Sequence, residues 1–220
     1  MNHYGIKAGV PAAALGIVLS CAATGASAAD VGIGVHGGTL GAGAGLDIGL
    51  SDNVAARIGF NRFSTGEDWT EGDLEYDADL ELDSVHALLD WHPFGGVFRI
   101  TGGLLANDNR IEGGANVETG DQVGNAIAVN DGRIGAEVSF DDSAPYLGIG
   151  WSSRPANRGF SFSLDVGVMG QGSPDVALTE EENIIGVNQD DLDREAREVE
   201  DDLSGYDTYP VLQLGMLYRF

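Results

Sequence analysis

Residues 209–220 place apolar side chains at every second position: Leu212, Leu214, Met216, Tyr218 and Phe220. Successive side chains of a strand point to opposite faces, so these five share one. Chain ends fray in water unless they are tied down, so a strand this apolar suits a water-soluble terminus poorly. The last strand of a membrane barrel has the opposite requirement, because one of its faces meets hydrocarbon. Phe220 on that face reads as an assembly signal for outer-membrane insertion. The sequence therefore predicts an all-β fold, an antiparallel transmembrane barrel.

The N-terminal region agrees with export. Residues 1–28 read as a signal peptide: Lys7 is the single charge, an apolar stretch runs from Ala8 to Leu19, and Ala26-Ser27-Ala28 supplies small residues for cleavage. That stretch is too short to span a bilayer as a helix, and Pro11 interrupts it. Val18-Leu19-Ser20-Cys21 is a weaker, lipoprotein-like alternative. Cleavage after Ala28 leaves residues 29–220 as one barrel domain without cysteine, which excludes disulfides and thiolate chemistry. The implied address is the cell outer membrane, with its lipids and the barrel-assembly machinery as partners and a monomer as the expected state.

Once Lys7 is removed, 10 basic residues stand against 35 acidic ones, a net charge of −25. Nucleic-acid binding requires a basic surface, so that class is excluded. Enzyme signatures are missing as well: there is no Gly-x-Ser-x-Gly, no His-Glu-x-x-His and no phosphate loop. The reading is a non-enzyme with no cofactor and no specific metal site.

Alternating segments give eight strands: 31–36, 44–50, 54–61, one ending at Trp91, 98–106, 145–151, 160–168 and the terminal segment. Links at 51–53, 92–97 and 152–159 are short. Those at about 64–81, 107–143 and 171–208 are long and acidic, while the link near 37–43 is brief. With both termini periplasmic, every long link falls on the outer side, the pattern of an outer-membrane barrel. In the seventh strand, Phe160, Phe162, Leu164, Val166 and Val168 should face lipid, opposite Ser161, Ser163, Asp165 and Gly167.

The fourth strand changes phase. Leu74, Tyr76, Ala78, Leu80 and Leu82 are apolar at even positions, whereas Val85, Ala87, Leu89 and Trp91 are apolar at odd ones. One extra residue at Asp83-Ser84 would keep a single apolar face, so a β-bulge is expected there. The acidic ladder above it is then lumenal or loop-facing.

If apolar positions face lipid, the lumen receives His36, Asp47, Arg57, Asn61, His86, Asp90, Arg99, Thr101, Asp165, Gln213 and Arg219. An eight-stranded barrel is just wide enough for side chains to fill, and buried charges need partners. Arg57, Arg99 and Arg219 are expected to pair with Asp47, Asp90 and Asp165. Such pairs either hold the barrel together or line a narrow path for a small charged solute. Trp91, Trp151, Tyr146 and Tyr218 lie near strand ends, where their rings suit the membrane–water boundary.

The last long link carries a helical pattern: Leu192, Ala196, Val199 and Leu203 share a helix face, with Asn188 or Asp190 as cap. Between Glu180 and Asp207, twelve acidic residues face only Arg194 and Arg197. Weak Ca²⁺ or Mg²⁺ binding fits oxygen ligands of this kind, but no run matches an EF-hand.

Trp91-His92-Pro93-Phe94-Gly95-Gly96, Pro145 to Trp151, Gly167 to Pro174 and Tyr218-Arg219-Phe220 together resemble a group of small outer-membrane barrels. Some members are described as ornithine-uptake porins of the CarO type, and the broader likeness is to OmpA-type eight-stranded barrels. The resemblance covers most strands and turns but not the long links, and it implies solute uptake. Two functions follow: a narrow channel for small, cationic solutes drawn in by acidic loops, or a non-conducting structural or surface-interaction barrel.

Overall fold

The computed structural model describes residues 31–71, 74–123, 125–153, 159–182 and 184–220. The signal segment, Cys21 and the turn residues 155–157 lie outside the described residues. Eight strands close a barrel: β1 (Val31–Gly38), β2 (Gly41–Ser51), β3 (Val54–Glu71), β4 (Leu74–Trp91), β5 (Phe98–Asn107), β10 (Ser143–Ser152), β11 (Gly159–Gly170) and β13 (Thr208–Arg219). Neighbours pair antiparallel all the way round. The cylinder is sealed where β13 meets β1, from Gly32 opposite Arg219 to Gly38 opposite Gln213. Closure leaves no unpaired edge within the lipid.

Alternation sorts the two faces. Phe160, Phe162, Val166 and Val168 are exposed outward, while Ser161 and Asp165 are buried inward. Leu212, Leu214, Met216 and Phe220 do the same at the closing strand. Around the rim opposite the long links, outward rings touch. Phe98 meets Phe94 at 6.2 Å and Trp151 at 6.0 Å, and Tyr218 meets Phe160 at 5.1 Å and Phe220 at 5.3 Å.

The strands between the outer ends of β5 and β13 build a second region. β6 (Arg110–Val117), β9 (Gly132–Ser139) and β12 (Asp175–Glu180) extend the barrel wall outward, in the order β3-β4-β6-β9-β12. A small hairpin, β7 (Gln122–Val123) with β8 (Ala126–Ile127), lies between β6 and β9. Helix α1 (Gln189–Leu203) lies against β12. Asn188 caps it in a reciprocal capping box with Asp191, so the helix starts where its first free N–H groups find side-chain acceptors. Leu192 then packs with Val117, Val123, Ala128, Ile134 and Ile184 in a core separate from the barrel. The long links are thus largely ordered into sheet and helix.

The β-bulge expected at Asp83-Ser84 is not there. β3 and β4 keep one register from Val54 opposite Trp91 to Glu71 opposite Leu74. What changes is the surroundings. Ser84 to Trp91 pair with β5, and Tyr76 to Glu81 pair with β6. Below the boundary the inward face carries His86 and Asp90, and the outward face carries Leu89 and Trp91. Above it Leu82 is buried inward and Asp79 is exposed outward. The outer solvent switches from hydrocarbon to water, and the inner face switches from a polar lumen to an apolar core. One uninterrupted strand therefore inverts its pattern without an inserted residue. The described acidic positions of the ladder face water on the outer side, with Asp83 lying 3.9 Å from Arg62.

Candidate functional site

The lumen is the site the barrel builds. Four side chains from four strands form its charged tier. Arg57 on β3 reaches Asp90 on β4 at 2.7 Å and Asp165 on β11 at 3.3 Å. Arg99 on β5 donates from one Nη to both Asp165 oxygens, at 2.8 and 2.7 Å, and lies 3.7 Å from Asp90. Thr101 donates to Asp90 at 2.6 Å. The 2.7 Å approach of Arg57 Nε to Asp90 Oδ2 lies off the N–H direction, so it is an ionic contact rather than a hydrogen bond. Asp90, Arg99 and Asp165 are all buried. Two cations against two anions leave this tier neutral, the condition under which buried charges are tolerated.

Asp47 and Arg219 form a separate pair at 2.7 Å, between β2 and β13. The six inward charges thus divide into a quartet and a pair rather than three pairs. A third tier centres on Asn61, which is wholly buried. Its Oδ1 accepts from His36 and Gln213, each at 2.8 Å. Its Nδ2 donates to Ser84 Oγ at 3.1 Å and to His86 Nδ1 at 3.2 Å. Four side chains are thereby tied together by one amide. Alternation places Asn61 inward, but its role as hub depends on four residues from β1, β4 and β13 meeting there.

The outer end of the lumen is apolar, which alternation of polar positions does not reveal. Leu40, Leu88, Leu105, Ala144, Tyr146, Met169 and Val211 form a buried cluster across the mouth. Leu40 comes from the brief β1–β2 link. That link is held by Thr39, whose hydroxyl donates to Pro210 O and whose carbonyl accepts from the Tyr209 hydroxyl at 2.7 Å.

Tyr146 requires a correction. It is not in the boundary girdle with Trp91, Trp151 and Tyr218, because its side chain is buried in the lumen. On β10 the outward residues are Leu147, Ile149 and Trp151, so Tyr146 falls on the opposite face. Space for its ring is made by Gly148 and Gly167, since a Cβ at Gly167 would meet the Tyr146 hydroxyl at 2.5 Å. Here the glycines serve close approach of a ring.

Beneath the apolar cluster a cavity of about 70 Å³ opens among His36, Asp47, Arg99, Ser163 and Arg219. It is roomy enough for a few waters and too small for most solutes. Among the described residues no group of three or more His, Cys, Asp or Glu side chains is placed to hold a metal ion.

Above the membrane, two ionisable groups are shifted by their neighbours. Arg110 is raised, chiefly by its hydrogen bond to Glu81 at 2.9 Å. Asp131 is lowered, because it accepts from the Thr119 hydroxyl and backbone N–H, each at 2.8 Å.

Closed eight-stranded architecture, an outward apolar band and a ringed rim define the fold of an outer-membrane β-barrel. Crystal structures of two Acinetobacter baumannii proteins share it. CarO2 is 21% identical with a TM-score of 0.59, and CarO is 24% identical with a TM-score of 0.56. Each comparison covers 87% of this chain and 98% of the other. The likeness is one of fold. No family model matches the chain, and no curated protein matches it in sequence.

Proposed function

We propose that the protein is an outer-membrane barrel that is closed to steady solute flow and anchors a folded extracellular sheet. The observation that carries this is the filled lumen: a neutral charged quartet, an Asn61-centred tier and an apolar cluster headed by Leu40. The quartet's charges are paired and the Asn61 tier is hydrogen-bonded, so opening a path would unpair buried charges. The ordered part outside the membrane has its own core, as a presenting surface requires. Phe220 then acts in assembly, and deleting it should lower the outer-membrane yield of heat-modifiable protein.

The test is current recording on the refolded mature protein in planar bilayers. Steady current is expected to be absent in the wild type, and a steady current would overturn the reading. A second reading, a gated path for small cations, is favoured by the polar cavity of about 70 Å³ beneath the Leu40 cluster. It also has the support of the resemblance to uptake porins. In that case Leu40→Gly should open the mouth, and a cation preference should follow from the acidic outer region. Screening limits that influence to about 8 Å at physiological salt, so the preference should fade as salt rises. Neutralising Asp190, Asp191, Asp193, Glu195, Glu198 and Glu200 should also reduce it. Anion preference would exclude this second reading.

A further inference from the structure

The upper sheet has two edges, and they are treated differently. At one end β12 is only six residues long, α1 lies against it, and its Val176 N–H is taken by Glu200 Oε1 at 3.1 Å. At the other end stands the upper half of β3. β2 pairs with β3 only as far as Ala42 opposite Arg62, whereas β4 follows β3 up to Glu71. Among the described residues no strand pairs with the other side of β3 above Arg62. A bare sheet edge offers its N–H and C=O groups to any extended chain, and folded proteins shorten or cover such edges. β12 is treated in that way and β3 is not.

Asp83 fixes which backbone groups face the open side. Its carbonyl accepts from the Asp108 N–H at 2.9 Å, and its N–H donates to Asn109 Oδ1 at 3.1 Å, so both point away from β3. Asp83 stands opposite Arg62 in an unbroken register. Residues along an antiparallel ladder bond alternately to one neighbour and to the other. Arg62 therefore bonds toward β2. Ser64, Gly66, Asp68 and Thr70 turn their N–H and C=O groups to that same side, where no strand lies.

The side chains at this edge select the strand that fits. Gly66 is opposite Asp79, and a Cβ at Gly66 would run into the Asp79 carboxylate. That carboxylate thus lies over the edge strand, one strand nearer the open side. Asp79 is exposed, and no ion pair reaches it among the described residues. The cations beside it are spent, Arg62 on Asp83 and Arg110 on Glu81, Asp108 and Glu112. On the other face of the same edge Phe63 is 44% exposed.

We propose that this edge takes up an extended, cationic segment of a partner protein as an added strand, with a Lys or Arg opposite Gly66 pairing with Asp79 and an apolar side chain beside Phe63. Main-chain bonds supply affinity in this mode of recognition, and alternate side chains supply specificity. Ser64 and Gly66 are small, which leaves room for a long cationic side chain across the edge. A second copy of the chain is disfavoured, because it would bring another acidic surface to the carboxylate. The inference rests on the presenting role proposed above, yet the two fail separately: a steady current would refute that role without moving a peptide-binding signal.

The test uses the full mature barrel in nanodiscs of zwitterionic lipid, with empty nanodiscs as background. The probe is a synthetic nonapeptide of alternating Lys and Val, N-methylated at the Val nitrogens so that only its Lys-side edge can pair. The control is the fully N-methylated peptide, which has the same charge and no backbone donors. Saturable binding of the probe is expected, with slower hydrogen exchange at the Ser64 and Gly66 amides. Loss of the backbone bonds should weaken the control by about tenfold or more. Asp79→Asn should weaken the probe by about two- to fivefold, the range of an exposed ion pair. Absence of binding, or equal binding of the two peptides, would overturn the proposal, as would protection at Leu178 on β12 in place of Gly66. An unchanged affinity on Asp79→Asn would overturn the cationic assignment. The peptide comparison needs no variant, so it stands even if Asp79→Asn assembles poorly.

Discussion

The two halves of β4 obey opposite rules on one backbone. Below Ser84 the outward side chains are Leu89 and Trp91 and the inward ones are His86 and Asp90. Above Asp83 an acidic residue, Asp79, points outward, and Leu82 is buried inward. Hydrogen bonding does not distinguish the halves, since β3 pairs along the whole length. Polarity is assigned by what lies on each side: lipid against a polar lumen, then water against an apolar core. The lower half is held by paired charges in a closed cylinder, and the upper half by hydrophobic burial under a capped helix. They should therefore respond differently to the same kinds of perturbation.

The largest effect is expected in the lumen. Arg99→Ala leaves Asp165 without its bidentate partner, and removing one member of a buried pair costs about 3–5 kcal/mol. The urea midpoint of heat-modifiable barrel should fall accordingly. If it does not, and conductance is also unchanged, the quartet does not hold the lower half together.

Next comes the core of the upper half. Leu192 is 2% exposed, and Leu192→Ala should remove about 3 kcal/mol from the upper region. Hydrogen exchange should rise in β6 and β9 while β10 and β11 stay protected. Equal loss in both regions would show a single cooperative unit instead of two.

The inversion itself is tested by one charge on each outward face. Leu147 is 62% exposed toward lipid, and Leu147→Arg should cost about 2 kcal/mol or more, depending on its depth. Asp79→Arg, on the water side of the same outer surface, should stay within about 0.5 kcal/mol. Similar costs at the two positions would refute the boundary near Asp83.

Smaller still is the helix cap. Asn188→Ala removes the capping box and should cost about 1 kcal/mol, read as faster exchange in the first turn of α1. The smallest effect concerns pH. Asp131 titrates below its ordinary 3.8 because its folded carboxylate accepts two bonds from Thr119. A depressed carboxylate contributes stability above its unfolded value and loses it as pH falls through the folded one. The Thr119 amide should thus exchange faster only in acid below 3.8, and Asp131→Asn should flatten that dependence.

Much of the lower half was legible in the chain. Alternation of period two marks each barrel strand, and the terminal segment declares a lipid face because polar and apolar positions separate cleanly there. The start of α1 was equally readable, since Asn188 and the spacing of Leu192 and Ala196 are local signals. The place of Tyr146 is not legible, because an aromatic ring near a strand end suits both the boundary and a lumen. Only the glycines on its own and the adjacent strand, Gly148 and Gly167, decide between them. The phase change in β4 is visible in the chain but its cause is not, because sequence alone does not say where lipid stops.

Alternation is a property of the strand backbone, so the chain alone separates two sets of side chains on each strand, but Tyr146 and the upper half of β4 show that it does not say which set faces inward. The membrane barrel is readable as well, because the short and the long acidic links segregate to opposite ends of the strands. Tertiary structure alone decided the rest: that Arg57 and Arg99 share Asp90 and Asp165, that Asn61 ties together His36, His86 and Gln213, and that Leu40 fills the mouth. Those contacts join residues from strands far apart in the chain. Their meeting depends on how neighbouring strands are staggered around the closed wall, a quantity set by the pairing of all eight strands together and by no one of them.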